Sequence, residues 1–267
     1  MKVKKLIPWV GGKASLAGEI VPLIPPHTCY VELFAGGAGV FCAKERSKVE
    51  VLNDLNCGLI TLFRVWQRHP DAFLEELRLV VASRKWYEDC WAQPGLTDVE
   101  RSARFFYRVR HSFANQPGSK SFAYSTLRAP GIKADRVEAA VREIHGRLRG
   151  VLIECLTWDD ALRRYDREHT FFYIDPPYYK VSCDYGPGLN FSVEDHGRLA
   201  AALRKTRGTW ILSLNDVPGV RALYAGLHIK EVQVFYGMGY GTRTQTRKKR
   251  AWGEVLVSNR PWLKAPK

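Results

Sequence analysis

The sequence has 267 residues, of which 41 are Lys or Arg and 27 are Asp or Glu, giving a formal net charge of +14. With 46% hydrophobic and 12% aromatic residues it can form an ordinary core, which excludes a mainly disordered chain. No apolar run approaches the roughly 18 residues that a membrane span needs, and Pro8 and Gly11 interrupt the basic start. Composition therefore predicts a soluble, cytoplasmic protein without membrane partners.

Six cysteines are scattered along the chain, without a CxxC pair or a Cys/His cluster at zinc spacing. We therefore expect reduced cysteines that act as small apolar side chains, and we predict no metal site.

The positive charge is concentrated in two parts of the chain, with a net +6 over residues 63–150 and +7 over residues 236–267. In the first part, arginines recur beside aromatic residues, a combination that suits phosphate contact and base stacking. Five cations fall within eight residues of the second part, from Arg243 to Arg250. A merely solvated surface is the alternative, and composition alone does not decide between the two.

In chain order, the first third is typical of a βαβ unit, with strands predicted over residues 28–34 and 49–53 and helices over 40–46 and 58–67. Residues 63–150 then show helical patterns and a polar loop. Strand patterns return over 151–155, 170–174, 209–214 and 228–235, and Ser192 begins a helix with Asp195 completing a capping box. The alternation predicts an α/β fold, a doubly wound mostly parallel sheet, with a mainly helical insert.

A glycine-rich turn, residues 35–39, follows the first strand directly. Such a turn lets a ligand approach the backbone at the carboxyl end of the sheet, and Asp54 after the next strand can accept hydrogen bonds from a ribose. NAD, FAD and S-adenosylmethionine all fit this pattern, although GxGxxG is missing. A glycine-rich structural turn is an equally good interpretation of this signal alone.

The stronger signal is Asp175-Pro176-Pro177-Tyr178, which follows an apolar strand. Two prolines hold the segment extended and remove its backbone donors. A carboxylate and the Pro176 carbonyl can then accept both N–H bonds of an exocyclic amine while the tyrosine stacks on the heterocycle. A stiff structural turn is the alternative, and the preceding glycine turn and ribose-type acid make it the weaker one.

These motifs, in this order, resemble those of the Dam-type DNA adenine methyltransferases. The resemblance covers residues 1–62 and 151–258 and includes the family's W-x-G-G-K motif at residues 9–13, its cofactor loop at 31–41 and its catalytic DPPY at 175–178. Two departures are Ala38 at a glycine position of the loop, and Val109 and Ala114 in place of asparagines in the insert. The usual GATC target is therefore not assured.

The resemblance implies a Rossmann-like methyltransferase domain, residues 1–62 and 151–267 with a basic hairpin at 236–252, and a target-recognition insert at residues 63–150. The implied reaction moves a methyl group from S-adenosylmethionine to N6 of a flipped-out adenine, and no metal is needed. The implied catalytic residues are Asp175, Pro176, Pro177 and Tyr178. The implied cofactor-binding residues are Trp9, Lys13, Phe34, Gly36, Asp54 and Asp175. The expected DNA contacts are Arg108, Arg110, Lys120, Arg128, Arg243, Arg247, Lys248 and Lys249.

The expected partner is double-stranded DNA, the expected state a monomer or weak dimer, and the expected source a bacterium or phage. A cognate restriction endonuclease is left open as a second partner. Two other functions also remain open: methylation of RNA or a protein amine on the same fold, and DNA binding by an inactive homologue. A nicotinamide-dependent oxidoreductase is less consistent with the sequence, because its fingerprint is missing.

Overall fold

The structure is a computed structural model that describes residues 7–9, 11–78, 80, 82–124, 134–236 and 250–262. Its strands are β1 (Cys29–Glu32), β2 (Val49–Asn53), β3 (Leu152–Glu154), β4 (Thr170–Ile174), β5 (Thr209–Asn215), β6 (His228–Tyr236) and β7 (Arg250–Ser258). Its α-helices are α1 (Ala17–Ile20), α2 (Gly39–Ala43), α3 (Cys57–Arg68), α4 (Pro70–Arg78), α5 (Arg84–Ala92), α6 (Asp98–His111), α7 (Ala134–Leu148), α8 (Trp158–Tyr165), α9 (Val193–Leu203) and α10 (Pro218–Leu223). Short 3-10 helices span Lys13–Ser15, Val21–Leu23 and Phe113–Asn115.

The strands form one sheet in the order β3-β2-β1-β4-β5-β7-β6. Strands β1 to β5 run parallel, and β7 lies antiparallel between β5 and β6. The strand order reverses between β1 and β4, which are neighbours in the sheet although 137 residues lie between the end of β1 at Glu32 and the start of β4 at Thr170. Ligands of such sheets bind beyond the carboxyl ends of the strands at this point. The predicted α/β fold with a mostly parallel sheet is confirmed.

Local sequence explains the central strands and the best-defined helix starts. All five residues of β4 are buried, as expected for a parallel strand covered by helices on both faces. Helix α3 begins after Asn56, whose side chain accepts a hydrogen bond from Leu59 N. Helix α9 begins after Ser192, and the predicted capping box with Asp195 is present in both directions.

Hydrophobic clusters cover the two faces of the sheet. Helices α3, α6 and α7 pack together over one face, and their Phe63, Phe106 and Val141 share a core with Tyr30 and Phe171 of the strands. The second cluster joins the other face to α8, α9 and α10. In the described ranges, residues 63–150 are mainly helical, and α3 runs through the predicted boundary at residue 62. Most buried hydrophobic side chains of these helices share the core of the sheet, whereas Tyr87, Cys90 and Tyr107 form a small cluster of their own.

A buried ion-pair network ties the end of the helical insert to the sheet. Glu50 on β2 accepts hydrogen bonds from Lys44 Nζ at 2.6 Å and from Arg147 Nη2 at 2.8 Å. Arg147, on α7, also donates to the carbonyl of Phe41 at 2.9 Å. Since Phe41 belongs to α2, which follows the glycine-rich turn, this network fixes the insert against the elements that carry that turn.

The expectation that all cysteines are reduced is wrong for one pair, because Cys57 and Cys155 form a disulfide. Strands β2 and β3 are parallel neighbours, so the residues that follow them come together, and the two Cα atoms are 5.9 Å apart. A separation of 98 residues hides this proximity in the sequence. Cys29, Cys42, Cys90 and Cys183 are free.

Among the helices in the described ranges, none is long and apolar enough to cross a membrane. The predicted basic hairpin at 236–252 joins β6 to β7, which pair from Tyr236 and Arg250 onwards. Residues 237–249 of this hairpin lie outside the described residues.

Candidate active site

A cavity of about 750 Å³ opens beyond the carboxyl ends of β1 and β4. Three predicted motifs line it together: residues 9–13 near the N-terminus, the glycine-rich turn after β1 and the segment 175–178 after β4. Asp54, directly after β2, also lines the cavity, as do Arg110 of α6 and Phe113 just beyond it. The fold therefore brings every predicted catalytic and cofactor-binding residue to one site.

Asp54 holds the glycine-rich turn through a hydrogen bond to the backbone of the turn. Its Oδ2 accepts a hydrogen bond from Gly36 N at 2.8 Å, and its Oδ1 accepts one from Asn56 N at 2.9 Å. Burial raises the pKa of this carboxyl, and the backbone hydrogen bonds oppose that rise. A carboxylate has about four acceptor positions, so part of its capacity remains for ligand hydroxyls.

Trp9 covers the same turn and leaves no space for a side chain there. Gly36 has φ +46°, and a Cβ at this position would lie 2.9 Å from Trp9 Nε1. Trp9 is 9% exposed, and its ring centroid is 6.5 Å from that of Phe105 in the insert. The turn is thus held between Trp9 and Asp54, with its backbone facing the cavity.

Ala38 completes this turn in a left-handed conformation, with φ 49° and ψ 40°, directly before α2. The side chain is 1% exposed. The family pattern has glycine at this position because glycine adopts such a conformation without strain.

Lys13 and Asp175 form an ion pair at the centre of the cavity. Lys13 Nζ donates to Asp175 Oδ1 at 2.6 Å, to the carbonyl of Gly11 at 3.1 Å and to Tyr178 Oη at 3.3 Å. The three N–H donors of the ammonium are therefore engaged within the protein. A cofactor carboxylate that reached Lys13 would have to replace one of these contacts.

Asp175 is an acceptor with a raised pKa. The net effect of its surroundings raises its pKa to about 6: burial and the nearby Glu254 raise the pKa, whereas the charge and hydrogen bond of Lys13 and a hydrogen bond from Ser213 lower it. Ser213 Oγ donates to Asp175 Oδ1 at 3.1 Å. The carboxyl is therefore mostly ionised at pH 7, and it can accept a hydrogen bond from an amine.

The segment that carries Tyr178 is fixed from both sides. The hydroxyl of Tyr178 donates a short hydrogen bond to Glu254 Oε1. On the next residue, Asn215 of β5 accepts from Tyr179 N at 2.9 Å and donates to Tyr179 O at 3.1 Å. Pro176 and Pro177 line the cavity beside them.

Three of the predicted DNA-contact residues lie on described parts of the insert. Arg108 is half-buried with its guanidinium 4.1 Å from the Trp91 ring centroid, and Lys120 Nζ lies 5.9 Å from the same ring. Arg110 is half-buried over Phe106 and is the one of the three that lines the cavity. Burial lowers the pKa of both arginines. The others lie outside the described residues: Arg128, Arg243, Arg247, Lys248 and Lys249.

Sequence reasoning missed several groups of this site. Ser213, Asn215 and Glu254 come from β5 and β7, and Tyr185 lines the cavity from the segment that follows Tyr178. Glu254 had a usable signal, because it is the sole acidic residue among residues 236–267. In the described part of the chain, no group of three or more His, Cys, Asp or Glu is arranged to hold a metal ion.

Comparison with known proteins supplies independent findings. The sequence profile of the family described as D12 class N6 adenine-specific DNA methyltransferase matches residues 9–238. Type II methyltransferase M1.LlaDCHI of Lactococcus lactis subsp. cremoris is 26% identical, over 94% of this chain and 93% of its own. Type II methyltransferase M.CviBI of Paramecium bursaria Chlorella virus NC1A is 24% identical, over 84% and 87%. A DNA adenine methylase of Vibrio cholerae is 26% identical, over 87% and 88%.

Proposed function

Since this chain belongs to the D12 class of N6 adenine-specific DNA methyltransferases, we propose that the cavity beyond β1 and β4 holds both the methyl donor and the target adenine. The observation that carries this proposal is the position of the Lys13–Asp175 pair, which lines the same cavity as Asp54 and the glycine-rich turn. A donor and an acceptor bound there lie side by side, as direct transfer between them requires.

The donor half of the cavity suits a nucleoside. Asp54 has acceptor capacity for ribose hydroxyls, Gly36 presents bare backbone, and Phe34 and Trp9 offer aromatic faces. We assign these residues, with Lys13 towards the methionyl end, to S-adenosylmethionine. When bound, it supplies an electrophilic methyl group.

The acceptor half uses Asp175, Pro176 and Tyr178. An adenine in duplex DNA must leave the stack to enter a cavity, at a cost of about a few kcal/mol. The Asp175 carboxylate and the Pro176 carbonyl then accept the two N–H bonds of N6, and the Tyr178 ring stacks on the base. Pro177 keeps this segment extended. The nitrogen lone pair is thereby directed at the methyl group, and catalysis consists of positioning and electrostatics.

The insert, residues 63–150, and the hairpin at 236–252 are the proposed DNA-binding elements, on the catalytic domain of residues 1–62 and 151–267. Arg110 extends from the insert into the cavity, so it is the best placed of the described cations to contact DNA beside the target. The charges of the hairpin fit phosphate contacts. We propose a monomer or weak dimer on double-stranded DNA, and the names of two relatives support a cognate endonuclease.

Transfer of radiolabelled methyl groups tests the proposal. The wild-type protein is expected to label unmethylated double-stranded DNA in preference to RNA and to a glutamine-containing peptide. Asp175→Ala is expected to abolish labelling while it keeps the melting temperature within a few degrees. Unchanged turnover in this variant would contradict the assigned mechanism, and preferential labelling of RNA or peptide would contradict the assigned acceptor.

A further inference from the structure

Glu254 is a buried acid that is absent from the predicted site residues, although the family resemblance extends over its strand. It lies on β7, opposite Asn215 of β5, and is 1% exposed. Its position is beyond residues 9–238, which the family profile matches. A carboxylate in such a place is costly to bury, so the contacts it makes there indicate what it does.

The contacts of Glu254 are to the proposed catalytic groups themselves. Its Oε1 accepts the hydrogen bond from Tyr178, and its Oε2 lies 4.0 Å from Lys13 Nζ. Lys13 in turn binds both Asp175 and Tyr178. Four side chains from three separate segments of the chain therefore form one connected group around the point where the target amine would bind.

Two carboxylates of this group lie near the same ammonium. Glu254 and Asp175 share the one ammonium of Lys13, and that ammonium also lies 4.6 Å from the centroid of the Tyr178 ring. A neutral amide at position 254 would satisfy the tyrosine hydroxyl without placing a second carboxylate near Asp175. The negative charge is therefore more than the hydrogen bond to Tyr178 requires.

We propose that Glu254 is a positioning residue of the methyl-transfer reaction, which sets the orientation of the Tyr178 ring and divides the Lys13 ammonium between itself and Asp175. The hydrogen bond to the hydroxyl holds the ring in one plane, so the adenine stacks in a fixed position. Because Glu254 also attracts the Lys13 ammonium, Asp175 is a stronger hydrogen-bond acceptor for the adenine amine than it would be if it alone attracted Lys13. This inference rests on the proposed roles of Asp175 and Tyr178.

The effect of the Glu254 charge on Asp175 should appear in the pH dependence of the reaction. The groups that face Asp175 or influence it are Glu254 from β7, Ser213 from β5, Tyr173 from β4, Glu32 from β1, Lys13 from the N-terminal segment, and Tyr178 and Tyr185 from the segment after β4. Of these, Glu254 raises the pKa of Asp175 and Lys13 lowers it. Activity that requires the carboxylate rises with pH through this pKa, so removal of the Glu254 charge moves the acidic limb to lower pH.

The test compares Glu254→Gln with the wild type in kcat, KM for the donor and the pH profile of kcat/KM. Glutamine keeps the shape and an oxygen acceptor for Tyr178. The expected result is an acidic limb displaced to lower pH and a kcat lowered by about tenfold, with KM for the donor within about twofold. The matched control is Glu231→Gln on β6, an exposed acid that binds Arg221, and it should reproduce the wild-type profile.

A second set of variants tests the hydrogen bond between Glu254 and Tyr178 by itself, and Tyr178→Phe leaves position 254 unchanged. Tyr178→Phe removes the hydroxyl and keeps the ring, so it should lower kcat as Glu254→Ala does, and the double variant should lose much less than the product of the two losses. An unmoved acidic limb in folded Glu254→Gln, or independent losses in the double variant, would overturn the inference. Absence of methyl transfer in the wild type would instead overturn the proposed function.

Discussion

The Lys13 ammonium lies 2.6 Å from Asp175 Oδ1, a contact that joins the W-x-G-G-K and DPPY motifs across 162 residues of sequence. The Lys13 side chain is 2% exposed and that of Asp175 is 18% exposed. An ion pair in such surroundings is far less screened than one on the surface. The two motifs therefore act as one unit, and a change in either alters the other.

Lys13→Met should raise the pKa of Asp175. Burial raises this pKa, and the substitution removes the charge and the hydrogen bond of Lys13 that oppose the rise. The acidic limb of the kcat/KM profile should then move from about pH 6 to higher pH, opposite to the direction expected for Glu254→Gln. Lys48→Met, an exposed lysine, is the control and should leave the profile unchanged. An unchanged limb in folded Lys13→Met would show that Asp175 does not control this limb.

Asp54→Asn should weaken donor binding without abolishing the fold. The amide keeps one carbonyl acceptor where the carboxylate has two, so it cannot hold both Gly36 N and Asn56 N and also accept from a ribose. A hydrogen bond to a charged acceptor contributes about 1.5–3 kcal/mol, so its loss should raise Kd for the donor by about 10- to 150-fold. Calorimetric titration with S-adenosylmethionine measures this, with exposed Glu45→Gln as the control. Equal affinities for the two variants would place the ribose elsewhere.

Ala38→Gly should change the stability less than Ala35→Gly does. Ala38 is strained at φ 49°, by roughly 1–2 kcal/mol, and glycine relieves this while the unfolded chain gains about 0.4–1 kcal/mol of entropy. Ala35, in the same turn, has no positive φ to relieve. We expect Ala38→Gly to be neutral or stabilising and Ala35→Gly to cost about 1 kcal/mol in urea unfolding. The reverse order would contradict the observed turn.

Gly118→Ala should loosen the wall of the cavity formed by residues 183–191. A Cβ on Gly118 would lie 1.8 Å from Asp184 Oδ1 and 2.7 Å from Gly186 N, and the Gly118 N–H binds the Asp184 carbonyl at 3.0 Å. If the added Cβ moves residue 118 away from residues 183–191, amide hydrogen exchange over those residues should become faster.

The matched control for that variant is Gly146→Ala on α7, where a Cβ meets nothing within 4 Å. It should stabilise the protein by up to about 1 kcal/mol through helix propensity. Equal exchange in the two variants would show that the contact between Gly118 and Asp184 does not hold this segment.

Several strand bounds and one helix cap could be predicted from the pattern of neighbouring residues alone. Strands β2 and β4 have the predicted bounds. The apolar run of β4 ends at Asp175, and β2, which includes Glu50, ends where Asn53 and Asp54 follow its last apolar residue. The cap of α9 by Ser192 and Asp195 was likewise predicted from residues three apart. Strand β1 is shorter than predicted, since its last predicted residues already belong to the turn that carries the site.

Contacts between distant parts of the chain were not predictable from such patterns. The disulfide between Cys57 and Cys155 depends on which strands are neighbours, and the Lys13–Asp175 pair depends on the position of the N-terminal segment over the sheet. Glu254 became part of the site because β7 lies between β5 and β6. Sequence resemblance identified the motifs, whereas sheet order determines which of their side chains touch.

The most direct test of the central claim is nucleoside mass spectrometry of unmethylated genomic DNA incubated with S-adenosylmethionine and either the wild-type protein or Asp175→Ala. The expected result is N6-methyldeoxyadenosine with the wild type and none with the variant. Methylation of cytosine, or an equal yield of N6-methyldeoxyadenosine with the variant, would contradict the assignment of this cavity and of Asp175 to the adenine amine.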